Sequence, residues 1–80
     1  MTLADAVAEL WAEHPKAELS PSVRRGPAFA RAARVTFKRG EGGVYAGRDA
    51  DGTAVLVYFN DTANVISCTE IEPDLGPDEE

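Results

Sequence analysis

The apolar positions of this chain change period once, from helical spacing near the start to strict alternation in the second half. Leu3, Val7, Leu10 and Trp11 recur at helical spacing, with Asp5, Glu9, Ala12 and Glu13 turned away. Thr2 precedes the run and Asp5 stands three residues on, a capping box in which Asp replaces the more usual Glu. Pro15 disfavours helical geometry at His14, so the pattern predicts a helix ending near Glu13. A helix of about three turns is marginal alone in water and must pack on something. Leu10 and Trp11 are expected to cover one side or open end of a sheet.

Between Gly43 and Pro73 the period becomes two. Val55, Val57 and Phe59 alternate with Ala54, Leu56 and Tyr58, between the turn signals Asp51-Gly52 and Asn60-Asp61. This is the signature of a hairpin strand, and its parity turns Leu56 and Tyr58 outward if Val55, Val57 and Phe59 face in. Strands are expected over 34–38, 44–48, 53–59 and 64–68, with a final short strand or 3₁₀ turn over 69–72. Residues 39–43 read as a flexible glycine turn and 15–33 as a linker or irregular basic segment. Helix and strand both stay open for 28–34, where Ala-Phe-Ala-Arg-Ala-Ala-Arg favours helix and Val35-Thr36-Phe37 favours strand. The expected organisation is a helix over 1–14, the linker, an antiparallel β-barrel over 34–73 and a disordered acidic tail over 74–80.

Eighty residues support one small domain. A chain of this size buries about 60–65% of the surface its unfolded form exposes. No apolar run spans a bilayer, and the start carries acid rather than a basic leader, so no membrane partner is expected. The single cysteine, Cys68, has no disulfide partner within the chain, which fits a reducing, cytoplasmic setting. Charge changes the picture more. The chain carries −6 overall, divided as −3 over residues 1–23, +6 over 24–39 and −9 over 40–80.

The short strands and tight turns of the second half resemble an SH3-like barrel and, within that class, are similar to Tudor-type modules. Val57, Phe59, Asp61 and Asn64, followed by Ile71 and Pro73, follow the V-x-F-x-D-Y-G-N turn and the later aliphatic-Pro of that family. Thr62 and Ala63 stand where Tyr and Gly are typical, so the resemblance over 43–73 implies the fold without the aromatic cage for methylated ligands. Phe59-Asn60 and Asn64 also echo the F-D-x-x-x-N turn of Sm-like proteins. The implied fold class is mainly β with an N-terminal α-helix, a small antiparallel SH3-like barrel of four to five strands.

Little in the sequence makes or breaks bonds. Asp49-Ala50-Asp51-Gly52-Thr53 has the D-x-D-G-T form of a haloacid-dehalogenase-type phosphatase loop. That chemistry needs a buried parallel strand before the loop and a doubly wound sheet around it, and this chain has room for neither; Asp-Gly suffices as a hairpin turn. His14 is the only histidine, so with Cys68 distant there is no zinc set, and no cofactor is expected. His14 reads as a solvated residue at a helix end and Cys68 as a small core residue.

Three functions fit what is left. The first is a non-catalytic protein-binding module, monomer or homodimer, using Trp11, Tyr45, Arg48, Leu56, Tyr58, Asp61 and Asn64 as contacts. The second is an acidic inhibitor of a nucleoprotein complex. It presents Asp49, Asp51, Asp61, Glu70, Glu72 and Asp74 in place of phosphates, and in type resembles small phage proteins that block CRISPR effectors. The third is a nucleic-acid-binding barrel gripping phosphates with Arg24, Arg25, Arg31, Arg34, Lys38 and Arg39. Internal charge compensation is the competing account of those arginines.

Overall fold

The computed structural model describes residues 1–72. The expectations for Pro73, for Asp74 and for a disordered tail over 74–80 lie outside them. Helix α1 spans Leu3–Glu13 and begins as its sequence requires: Thr2 Oγ1 accepts from the Asp5 N–H and the Asp5 carboxylate accepts from the Thr2 N–H, both at 3.2 Å. It ends at His14, whose N–H donates to Leu10 O. Five strands follow in one sheet: β1 Glu18–Leu19, β2 Lys38–Arg39, β3 Tyr45–Arg48, β4 Ala54–Asn60 and β5 Val65–Ile71, with helix α2, Pro27–Ala32, between β1 and β2.

The sheet order is β1-β5-β4-β3-β2. From β2 to β5 every pairing is antiparallel, as the hairpin signals predict. The β1–β5 pair is parallel, Glu18 opposite Val65 and Leu19 opposite Ile66, so the sheet is mixed. A parallel pair needs a long crossover, and here the whole of α2, β2, β3 and β4 supplies it. The small, mainly β fold with an N-terminal helix is therefore present with five strands, but its first strand was not expected, and the residues left open between helix and strand are largely helical in α2. Both lie in the 15–33 segment. The breakers read there as linker have positive structural roles: Ser20 caps a 3₁₀ turn at Pro21–Val23, and Pro27 opens α2 at its first turn.

Strand bounds move where local pattern was thin. The strand expected at 34–38 is reduced to Lys38–Arg39, and the two pieces expected at 64–72 are one strand, Val65–Ile71. The 39–43 stretch is a turn, with Gly42 and Gly43 in the left-handed region at φ 72 and 75.

The core lies on one face of the sheet. Tyr45, Val55, Val57, Ile66 and Cys68 share that face and meet Leu3, Ala6 and Leu10 of α1 and Ala32 of α2. Complete burial of a side chain such as Leu10 contributes about 1.5–3 kcal/mol. Trp11 is a correction: it does not share Leu10's place over the sheet but turns aside, 43% exposed. Successive residues lie about 100° apart on a helix, so one of the pair had to leave the core. No described helix is long and apolar enough to cross a membrane.

Candidate functional site

Most of the sequence-predicted residues fall into four separate places, with Trp11 apart from them in a groove of its own. The first is the face of the sheet away from the helices. Cross-strand partners share a face, so Arg48, Ala54 and Ile71 form one row and Ala46, Leu56 and Thr69 another, with Tyr58 beside Ser67. Both helices send their buried residues to the opposite face, so neither covers this one. Ile71 is 50% exposed there, and Leu56 and Tyr58 are partly exposed. Arg48 is exposed and held by Nη1 donating to Gly52 O at 2.6 Å. Beside the patch is a depression of about 400 Å³ lined by Thr36, Lys38, Ala46, Arg48 and Ala54.

Tyr45 does not belong to any surface. It is fully buried, which corrects its expected role as an exposed anchor. Its hydroxyl donates to Glu9 Oε1 at 2.6 Å and accepts from Arg39 Nη1 at 2.7 Å, and the Arg39 guanidinium carbon lies 5.4 Å from the ring centroid. Arg39 also pairs with Glu13 at 2.9 Å. Burial, then the Glu9 acceptor, raises the phenol above its ordinary value. A buried hydroxyl with both a donor and an acceptor satisfied is a strut between α1 and the sheet.

The third place is a charge cluster between α2 and the β3–β4 turn. Arg31 Nε donates to Glu70 at 2.6 Å, and its Nη1 donates to Asp49 at 2.9 Å and to Asp51 at 2.8 Å. Arg34 Nη2 donates to Asp49 at 2.7 Å. Asp51 also accepts from the Thr53 N–H, and that bond together with Arg31 brings its carboxyl down to about 2. Asp49 is lowered by Arg34 and by the Ala50 N–H. Three carboxylates of the expected acidic surface and two arginines of the expected phosphate-binding set thus satisfy one another. The D-x-D-G-T carboxylates, in particular, are held as acceptors in a hairpin turn.

The fourth place is the Asp61–Asn64 turn and the cleft beside it. Asn60 Oδ1 accepts from the Thr62 and Ala63 N–H groups, and Asn64 takes the left-handed conformation, φ 57. Asn64 Nδ2 donates to Lys16 O at 3.1 Å, so this side chain fastens the turn to the β1 segment. The adjoining cleft, about 370 Å³, is lined by Glu13, His14, Arg39, Tyr58, Phe59 and Asp61 among others. His14 is half-buried rather than free in solvent. Its ring stacks on Phe59 at 3.8 Å between centroids and 7° between planes. Arg39 is already committed to Glu13 and Tyr45. Cys68 is buried on β5, and burial pushes its thiol up to about 11. Among the described residues no group of His, Cys, Asp or Glu is arranged to hold a metal ion.

Sequence reasoning named Trp11 as a contact but missed the apolar groove on the helix side that Trp11 lines together with Val23 and Phe29. Its signal was present in the helical row Leu3, Val7, Trp11, which is one residue too wide to be buried whole. No family model matches this chain, and no curated protein or solved structure is significantly similar to it.

Proposed function

We propose that this chain is a non-catalytic protein-binding module that docks a partner on the outer face of its sheet. The observation that carries the reading is the placement of both helices on the other face, which leaves Leu56, Tyr58 and Ile71 uncovered beside Arg48. Aromatic and arginine side chains are the usual anchors of an interface, and the aliphatic ones around them exclude water. Lys38 and Arg48 lie on the same side, so the partner that fits is a protein with an apolar surface edged by carboxylates. The SH3-like kinship, Tudor-like over 43–73, belongs to the same proposal and is supported by the antiparallel run from β2 to β5. A cytoplasmic setting is supported by the single unpaired thiol of Cys68.

Acid mimicry draws less support, because Asp49, Asp51 and Glu70 are engaged by Arg31 and Arg34. Direct nucleic-acid binding loses the same two arginines. The test is a pull-down from native lysate at low and high salt, comparing the wild type with a Leu56→Lys/Tyr58→Ala variant. A partner retained at high salt and lost with the double variant is the expected result. Capture that survives the double variant but disappears with salt or with Asp61→Asn/Glu72→Gln refutes the reading.

A further inference from the structure

The groove on the helix side is a second surface, distinct from the sheet face. Leu3 and Val7 of α1, Val23 of the 3₁₀ turn and Phe29 of α2 line it, with Trp11 at one side and a volume of about 360 Å³. Ala4 and Ala8, one turn apart on α1, contribute only methyl groups, so the backbone of an occupant can come close. The indole N–H is the one polar side-chain group here, and it is already satisfied: Trp11 Nε1 donates to Ala17 O at 2.9 Å. The ring is thus fixed in position while 43% exposed, and an occupant meets a preset aromatic wall without the cost of ordering it.

Charge at the edge identifies the occupant. Arg24 and Arg25 directly follow Val23, are exposed, and have their backbone N–H groups fixed on Pro21 O at 2.9 and 3.0 Å. Arg31, Arg34 and Arg39 each pair with a carboxylate, whereas among the described residues neither Arg24 nor Arg25 is in an ion pair. Two exposed arginines with no ion pair among the described residues therefore follow directly on Val23, a lining residue of a groove whose own lining carries no charge, in a chain of net charge −6. We infer that the groove takes an acidic amphipathic peptide segment of a partner protein, its apolar side chains against Trp11 and Phe29 and its carboxylates against Arg24 and Arg25. A nucleic acid fits less well, since the groove offers no polar side chain to a base edge and the overall charge opposes a polyanion.

Trp11 is the only tryptophan, so its emission reports the site directly. The whole chain is titrated with a short helical peptide of leucine, alanine and glutamate, with its lysine-for-glutamate counterpart, and with a single-stranded oligonucleotide. The glutamate peptide is expected to shift Trp11 emission to the blue and to bind at least about tenfold more tightly than the lysine peptide. Arg24→Ala/Arg25→Ala, with unchanged circular dichroism, weakens it about tenfold and flattens its salt dependence. Leu56→Lys/Tyr58→Ala leaves it unchanged, which separates this groove from the sheet face. The inference is overturned by an unresponsive Trp11, by equal affinity for the lysine peptide, or by response to the oligonucleotide alone. It is equally overturned by a concentration-dependent shift without any peptide, which assigns the groove to a second copy of the chain.

Discussion

A side chain at position 47 has nowhere to go. A Cβ on Gly47 would lie 2.7 Å from Thr36 O and 2.9 Å from Val35 Cγ2, the first of which is backbone and cannot swing away. The irregular 35–37 stretch uses this absence of a side chain to lie directly on β3, carrying Phe37 into the core. Gly47→Ala should therefore destabilise the fold by about 1–3 kcal/mol, an overpacking cost read from the urea midpoint. An unchanged midpoint would mean that 35–37 can retreat. The same stretch explains why the 34–38 strand did not form as expected: Val35 and Phe37 are strand-prone, but they serve as a cover over β3. Tyr45 was equally hard to read, because Val44-Tyr45-Ala46-Gly47-Arg48 has no alternation to assign its face and its burial depends on Glu9, far away in sequence.

At the level of elements, local signals were legible and distant ones were not. The Thr2–Asp5 cap, the stop at Pro15 and the parity of β4 each depend on a few neighbouring residues, and each stands in the structure as read. The β1 strand depends on β5, a partner far along the chain, and no two-residue run has a period to detect. The Arg31 cluster, which ties α2 to both the β3–β4 turn and β5, was legible only as the competing account of charge compensation. The Asp49 and Asp51 carboxyls lie below their ordinary values, so the folded state binds fewer protons there than the unfolded chain. The stabilisation is accordingly complete above about pH 4 and fades as pH falls toward about 2. Thermal melts across that range should show a falling midpoint in the wild type and a flatter profile in Arg31→Gln, which starts lower because three carboxylates then face one another. Parallel profiles for the two proteins would count against the cluster as an acid-sensitive clasp.

Over the whole molecule, cohesion is uneven. β4 is bonded along its length to β3 and β5, whereas β1 pairs with β5 over two residues only, with Glu18 N–H to Asn64 O at 3.0 Å and Ser20 N–H to Ile66 O at 2.9 Å flanking the pair. The Cys68 N–H to Ser22 Oγ bond, 3.0 Å, and the Asn64 side chain on Lys16 O add two more fastenings to this strap. The amides of Glu18 and Ser20 should therefore exchange with solvent at least about tenfold faster than those of Val55 and Val57, measured by NMR hydrogen exchange. Matching protection would show that β1 opens only with the entire sheet. Val23 belongs to this strap, and it forms one wall of the Trp11 groove. Loosening the strap by warmth or mild denaturant should dismantle that groove while Leu56 and Tyr58 keep their places, so the two surfaces proposed for docking would be lost one at a time.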